Sequence, residues 1–240
     1  MRITIIALGW LGNKLYKYWK EKGHEVSGSY FSRPKGLNDF YFDIGENKIP
    51  QEIENAQVIF FNLTPSGIGS LKNLESFLGK VSNKKFIFIS STSVYGPQGT
   101  VDELTQPLPD TQSGQFLLEC EKLVKIFCPN HLIIRPAGLY GEDRHPGKYL
   151  SGSENILNPN HPINLVGIDD LIKLIDNSFE QKEINLLNAV NSHHPSKKEY
   201  YQGYCKRKGL IIPNFKNESD PSSKIVKTKH LDFEISSPLP

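Results

Sequence analysis

Ala7-Leu8-Gly9-Trp10-Leu11-Gly12 is the stretch on which the fold of this chain turns. It follows an apolar run, Ile3 to Leu8, and opens a segment whose apolar stripe (Leu11, Leu15, Tyr18, Trp19) repeats with helical period. A small residue at position 7 permits a tight strand-to-helix turn. Gly9 lets backbone N–H groups approach a pyrophosphate, and Gly12 lets the helix pack closely on the sheet. The N-terminus of the helix adds partial positive charge. The spacing is that of Ala/Gly-x-Gly-x-x-Gly, with Ala7 where the first glycine usually stands. Any tight strand-to-helix turn favours glycine, so a purely structural turn is the alternative. The strand before it and the helix after it argue for a dinucleotide site at Ala7, Gly9, Trp10, Leu11 and Gly12.

The rest of the chain extends this pattern. His24 to Tyr30 reads as a second strand and Phe40-Tyr41-Phe42 as a third, while Val58-Ile59-Phe60-Phe61 and Phe86-Ile87-Phe88-Ile89 are uniform apolar runs, as strands buried on both faces should be. Helical periods lie between them, and Gln115 to Phe127 leads to a strand at His131 to Arg135. From Gly138 to Pro162 the Gly, Pro, Asn and His content reads as a long loop, and the last thirty residues read as a polar surface wrap. The alternation implies an α/β fold with a doubly wound parallel sheet.

The end of the second strand bears on the choice of dinucleotide. A site for NAD(H) usually places Asp or Glu there to hold the ribose hydroxyls. Here Ser29-Tyr30-Phe31-Ser32-Arg33-Pro34-Lys35 supplies no carboxylate. Arg33 and Lys35 are suited to a 2′-phosphate, with Ser29 and Ser32 as donors, so NADP(H) is preferred and NAD(H) remains open. An ordinary basic surface loop is the other reading. Asp43 and Ile44 are placed to meet the adenine, and Asn62, Leu63 and Thr64 to line the same crevice.

Composition narrows the class further. At 240 residues with 38% hydrophobic and 22% charged side chains, the chain is neither disordered, collagenous nor coiled coil. A net charge of +2 offers no sign of a nucleic-acid or membrane partner. Cys120, Cys128 and Cys205 form no CxxC pair, so neither a disulfide framework nor a zinc site is indicated. His193-His194-Pro195 reads as a turn before a helix, and no metal site is expected. The absence of a long apolar run and of a signal-peptide cleavage pattern leads to a cytoplasmic expectation.

Ser90-Ser91-Thr92-Ser93-Val94-Tyr95-Gly96 resembles the Ser-Ser-x-x-Val-Tyr-Gly segment of extended short-chain dehydrogenases/reductases, the NAD(P)-dependent sugar-nucleotide epimerases and dehydratases. Arg135-Pro136-Ala137-Gly138-Leu139-Tyr140-Gly141 is similar to their Arg-x-x-x-x-Tyr-Gly stretch. Asn164 to Asp170 is similar to their Asn-x-Ile-His-Val-Asp-Asp segment, with Gly167 in place of the His. The resemblance covers nearly the whole chain. It implies a Rossmann-type domain over 1–145, a reduced substrate-binding α/β cap over 146–240, and a small-molecule substrate of the sugar-nucleotide kind, in a monomer or homodimer.

That family moves protons with a Ser or Thr, a Tyr and a Lys. By position Ser91 matches the hydroxyl residue, but aligning Glu121 with the family's helix glutamate puts Ser113 at the tyrosine and Leu117 at the lysine. A serine hydroxyl titrates too high to replace the tyrosine, and leucine brings no charge, so the general acid–base assistance worth roughly 10²–10⁴-fold is absent from those positions. The departure resembles the atypical branch of the superfamily. Tyr95, Tyr140 and His145 are candidate substitutes for the acid, and Thr92 and Arg144 candidate substrate contacts alongside Ser91. Two functions stay open: an unconventional epimerase/dehydratase or reductase, and a non-catalytic NADP(H) redox sensor.

Overall fold

The fold is given by a computed structural model, which describes residues 1–32, 39–46, 48–141, 144–181, 183–218, 220 and 222–240. The chain opens with β1 (Arg2–Ile6) and α1 (Trp10–Glu21), whose buried face is Leu11, Gly12, Leu15 and Trp19. Then come β2 (Glu25–Tyr30), β3 (Asp39–Tyr41), α2 (Gln51–Glu54), β4 (Val58–Phe61), α3 (Pro65–Ile68), α4 (Leu71–Val81) and β5 (Lys85–Ile89). Beyond β5 the chain forms β6 (Gly99–Val101), α5 (Gln112–Phe127), β7 (His131–Pro136), β8 (Gly138–Tyr140) and α6 (Pro146–Leu150). β9 (Leu165–Gly167), α7 (Ile168–Asn177), β10 (Leu186–Ala189), α8 (Lys197–Arg207) and β11 (Lys224–Val226) follow.

A seven-stranded sheet runs in the order β10-β7-β5-β4-β1-β2-β3. Its registers from β3 across to β7 are parallel. All four residues of β4 are buried, as are Phe86 to Ile89 of β5, because helices cover both faces of these central strands. Strand order reverses between β1 and β4. In doubly wound sheets that switch point opens a crevice beyond the carboxyl ends of the strands, where ligands bind. The Ala7–Gly12 turn leaves β1 at that end, and Asn62 follows β4 there.

The compact units of the chain interleave. One comprises Met1–Ser91, Thr111–Arg135 and Gln181–Leu186, and the other Thr92–Asp110, Pro136–Glu180 and Leu187–Pro240. The chain leaves the first unit after Ser91 and returns to it twice, at Thr111 and at Gln181. The stretch read as a loop from Gly138 to Pro162 also contains regular structure. β8 pairs in parallel with β9, Gly138 opposite Leu165 and Tyr140 opposite Gly167, a partnership local composition cannot reveal. α6 starts with Pro146 at its first position, and the His145 side chain caps it. Likewise β11, inside the polar C-terminal stretch, pairs with β6.

Within the first unit one charged network lies where the sequence is otherwise apolar. Arg135 ends the run Leu132-Ile133-Ile134 in β7 and is 1% exposed, and Glu121 of α5 is fully buried. The guanidinium donates from Nε to Glu121 Oε1 at 2.9 Å and from Nη2 to Oε2 at 2.6 Å. Ser90 Oγ, just past β5, donates to the same carboxylate at 2.6 Å. Two parallel charge-assisted bonds and a hydroxyl satisfy groups that would otherwise be costly to bury. Removing one charge strands the other, so Glu121→Ala is expected to lower the unfolding free energy by about 3–5 kcal/mol. Urea melts of the wild type and the variant measure this, and a loss below about 1 kcal/mol would contradict the assignment.

Candidate functional site

The turn after β1 is held by β2. Ala7 N–H donates to Ser29 Oγ at 2.9 Å and Leu8 N–H to the Ser29 carbonyl at 2.9 Å. Asn13 Nδ2 donates to the carbonyls of Leu8 at 2.7 Å and Gly9 at 2.9 Å. Thus clamped, Ala7 adopts φ +73°, a left-handed conformation that costs an L-residue roughly 1–2 kcal/mol. A Cβ on Gly12 would stand 2.5 Å from the Ala7 carbonyl oxygen, so only glycine allows α1 this close to the turn. A Cβ on Gly9 would meet nothing within 4 Å, so the turn is open on that side. α1 carries no side-chain cap and no acidic residue in its first turn, an arrangement compatible with an anion at its amino end. Backbone, open space and dipole together fit a pyrophosphate.

The other expected dinucleotide contacts divide into several kinds. Trp10 and Leu11 begin α1, Leu11 buried and Trp10 half-buried with Lys14 Nζ 5.7 Å from its ring centroid. Ser29 is only 3% exposed, and its hydroxyl is engaged by Ala7. Ser32 is exposed, while Arg33 and Lys35 lie outside the described residues. Asp43 Oδ1 accepts from Gly45 N–H at 2.8 Å in a tight turn that buries Ile44. Asn62 donates its backbone N–H to the Ile6 carbonyl, which fixes the chain beside β1. Leu63 is half-buried, and Thr64 Oγ1 accepts from Gly67 N–H at the start of α3.

Past the end of β5, Ser91 is half-buried directly after Ser90, whose hydroxyl is fixed by Glu121. Ser113, Leu117 and Glu121 recur at i, i+4 and i+8 on one face of α5, Ser113 exposed in the first turn, Leu117 buried. In the sequence, Arg135 and Ser90 are visible only as parts of larger motifs. The charge within an otherwise apolar strand was the signal that Arg135 has a buried partner.

The second unit holds the remaining candidates. Thr92 is 7% exposed, and its carbonyl accepts from Lys224 Nζ at 2.8 Å. Tyr95 is fully buried, with its hydroxyl 2.7 Å from the Asp102 carbonyl and 3.2 Å from Asn188 Oδ1. Glu103, which the sequence did not single out, accepts from the backbone N–H of Asn188 and Lys229 and from Thr228 Oγ1. Arg144 is exposed, and its backbone exchanges two hydrogen bonds with Gly141. Tyr140 is 8% exposed, and burial, with Asp170 nearby, raises its pKa. A tyrosine serving as base needs the opposite shift.

His145 is 3% exposed and stacked on Tyr204, with centroids 3.6 Å apart and planes within 5°. Its Nδ1 accepts from Gly147 N–H at 3.0 Å, which leaves the proton on Nε2, 2.9 Å from the Tyr200 hydroxyl. Burial, with Lys148, Lys208 and Arg207 nearby, pushes its pKa down to about 4. The ring is therefore neutral near pH 7, with both nitrogens engaged. An unfolded histidine protonates below about 6.5 while the folded one waits until about 4. In that window the unfolded state binds more protons, so stability falls as pH falls. The expected loss from this residue is up to about 3 kcal/mol. Chemical denaturation at a series of pH values should show His145→Gln losing less stability than wild type across the window. Equal slopes would contradict it.

Comparison with known proteins places these features. No family model matches the chain. Protein YeeZ of Escherichia coli (strain K12) is 30% identical, with an alignment covering 100% of this chain and 97% of that protein. Among solved structures, MoeE5 in complex with UDP-glucose and NAD has a TM-score of 0.81 at 16% identity, covering 100% of this chain and 95% of that one. UDP-glucuronic acid 4-epimerase from Bacillus cereus in complex with NAD has a TM-score of 0.81 at 17% identity, covering 99% and 94%. At these identities the structural likeness establishes the fold alone, the Rossmann-like α/β fold that these structures share. Among the described residues no helix is long and apolar enough to cross a membrane. Identity at this level along the full length of both sequences makes the chain a member of the family of Escherichia coli protein YeeZ.

Proposed function

We propose that the chain binds a nicotinamide dinucleotide at the turn after β1, NADP(H) in preference to NAD(H), and acts in the cytoplasm on a small molecule of the sugar-nucleotide class. The observation that carries this reading is the turn itself: Gly9 faces open space, and α1 begins without a side-chain cap. The NAD-bound neighbours of the same fold support it. The preference for NADP(H) rests on a β2 that ends without a carboxylate, followed in sequence by Arg33 and Lys35. Free thiols at Cys120, Cys128 and Cys205 suit a reducing compartment.

When bound, a nicotinamide supplies hydride transfer. The chain's own contribution is to hold the pyrophosphate on backbone N–H groups, and to present the Ser91 hydroxyl to a substrate hydroxyl or carbonyl. It brings no tyrosine–lysine pair, because Ser113 and Leu117 stand there. Tyr95 and His145 spend their polar atoms within the second unit, and the raised pKa of Tyr140 keeps it a poor acid. Turnover is therefore slow by the standards of the fold, with the missing group to be supplied by the substrate or by water. The same absence favours a second reading, a binder that senses the NADP(H) redox state.

Quenching of tryptophan emission on titration with NADPH and NADH tests the shared premise, since Trp10 sits at the mouth of the turn. NADPH is expected to bind more tightly, and Arg33→Ala to weaken NADPH by about tenfold, ~1.4 kcal/mol, while leaving NADH unchanged. Binding of neither dinucleotide would overturn the proposal. Loss of NADPH absorbance with UDP-sugars, abolished in Ser91→Ala, would favour the enzyme. Tight binding without turnover would favour the sensor.

A further inference from the structure

Within the second unit, α6 and the end of α8 are pressed together. Gly147 of α6 has no room for a Cβ against the Tyr204 ring of α8, and the His145 ring that caps α6 stacks on that same ring. Past α8 the chain turns at Gly209, φ +64°, and runs back beside the end of α6. There the Ile211 carbonyl accepts from Gly152 N–H at 3.0 Å and from Ser151 Oγ at 3.2 Å. α6 and the stretch 206–213 therefore form one surface.

Two properties meet on it. The first is apolar: Tyr149 of α6 is 73% exposed, Ile211 73% and Ile212 53%. Apolar side chains scattered singly over a surface need no explanation, whereas neighbouring ones rimmed by charge mark an interaction site. The second is positive charge. Residues 144–153 and 206–213 carry five basic side chains, Arg144, Lys148, Lys206, Arg207 and Lys208, and no acidic one. All five are exposed. Lys148, Lys208 and Arg207 each lower the pKa of His145 by their charge, so they gather around one point on this face. The chain's net charge of +2 averages the local excess away.

Aromatic and aliphatic tips bordered by long basic side chains suit a layered partner, anionic outside and hydrocarbon beneath. A nucleic acid would engage the cations alone and leave Ile211 and Ile212 in water. An acidic protein would need a recess for three projecting side chains as well as its charge. We propose that this surface docks the chain on an anionic phospholipid bilayer. Tyr149, Ile211 and Ile212 enter the boundary between headgroups and acyl chains, and Lys206 and Arg207 meet the lipid phosphates. Asp169 and Asp170 line a cavity together with Lys148 and Lys208 and offset part of their charge, so Lys206 and Arg207 carry most of the attraction. The surface lies in the second unit and does not depend on the dinucleotide reading.

Co-sedimentation of the full chain with vesicles tests this, using equal parts phosphatidylglycerol and phosphatidylcholine against phosphatidylcholine alone. The chain is expected to sediment with the mixed vesicles at low salt, to be released as salt rises, and to stay in solution with phosphatidylcholine. Lys206→Ala with Arg207→Ala, and Ile211→Ser with Ile212→Ser, alter exposed side chains and are expected to melt as the wild type does. Each pair should weaken vesicle binding by about tenfold or more. Tyr149→Ser, on a separate element, should weaken it by about threefold and carries the apolar test if the isoleucine pair disturbs the fold. No binding to the mixed vesicles, equal binding to phosphatidylcholine, or unchanged binding in folded variants would overturn the proposal. So would capture by polyglutamate as tight as by vesicles and indifferent to the isoleucine pair, which would mark a site for an acidic protein.

Discussion

A single backbone constraint organises the candidate site: Ala7 is held in a left-handed conformation by the hydroxyl of Ser29. The end of β1, the turn and the first turn of α1 all take their direction from that residue. The strain at Ala7 is tolerated because the Ser29 hydroxyl and carbonyl and the Asn13 amide hold the backbone on either side. With the turn so placed, Gly12 brings the helix within contact of the Ala7 carbonyl, and the amino end of α1 faces outward without a cap. Ser29, expected from sequence as a donor to a phosphate, also fixes the shape of the turn by accepting from Ala7 N–H.

The far side of the first unit, past β5, rests on a different kind of bond. Glu121, Arg135 and Ser90 bind α5, β7 and the end of β5 into one buried charged network. That network sets the rotation of α5, and with it the face on which Ser113 and Leu117 lie. A buried ion pair is severely destabilised when one partner is lost, so this network constrains the packing of α5 on β7.

Much of this was legible in the sequence. The apolar runs at 58–61 and 86–89 are central strands, and the glycine turn stands between β1 and α1, because these features are set by local pattern and burial. The stretch from 138 to 162 was harder. β8 exists because Tyr140 lies opposite Gly167, and α6 because His145 turns its ring to cap it. Both depend on partners distant in sequence or on side-chain direction. Histidine 145 shows the converse: chemistry attractive in a motif becomes structural once stacked and bonded.

Amide hydrogen exchange with and without NADPH tests the central claim most directly, since the proposed contact is made by backbone N–H groups. Slowed exchange is expected to concentrate at Gly9 to Gly12, with a smaller effect after β2. Exchange unchanged at those amides under saturating NADPH, or slowed only in the second unit, would contradict the assignment of the turn as a dinucleotide site.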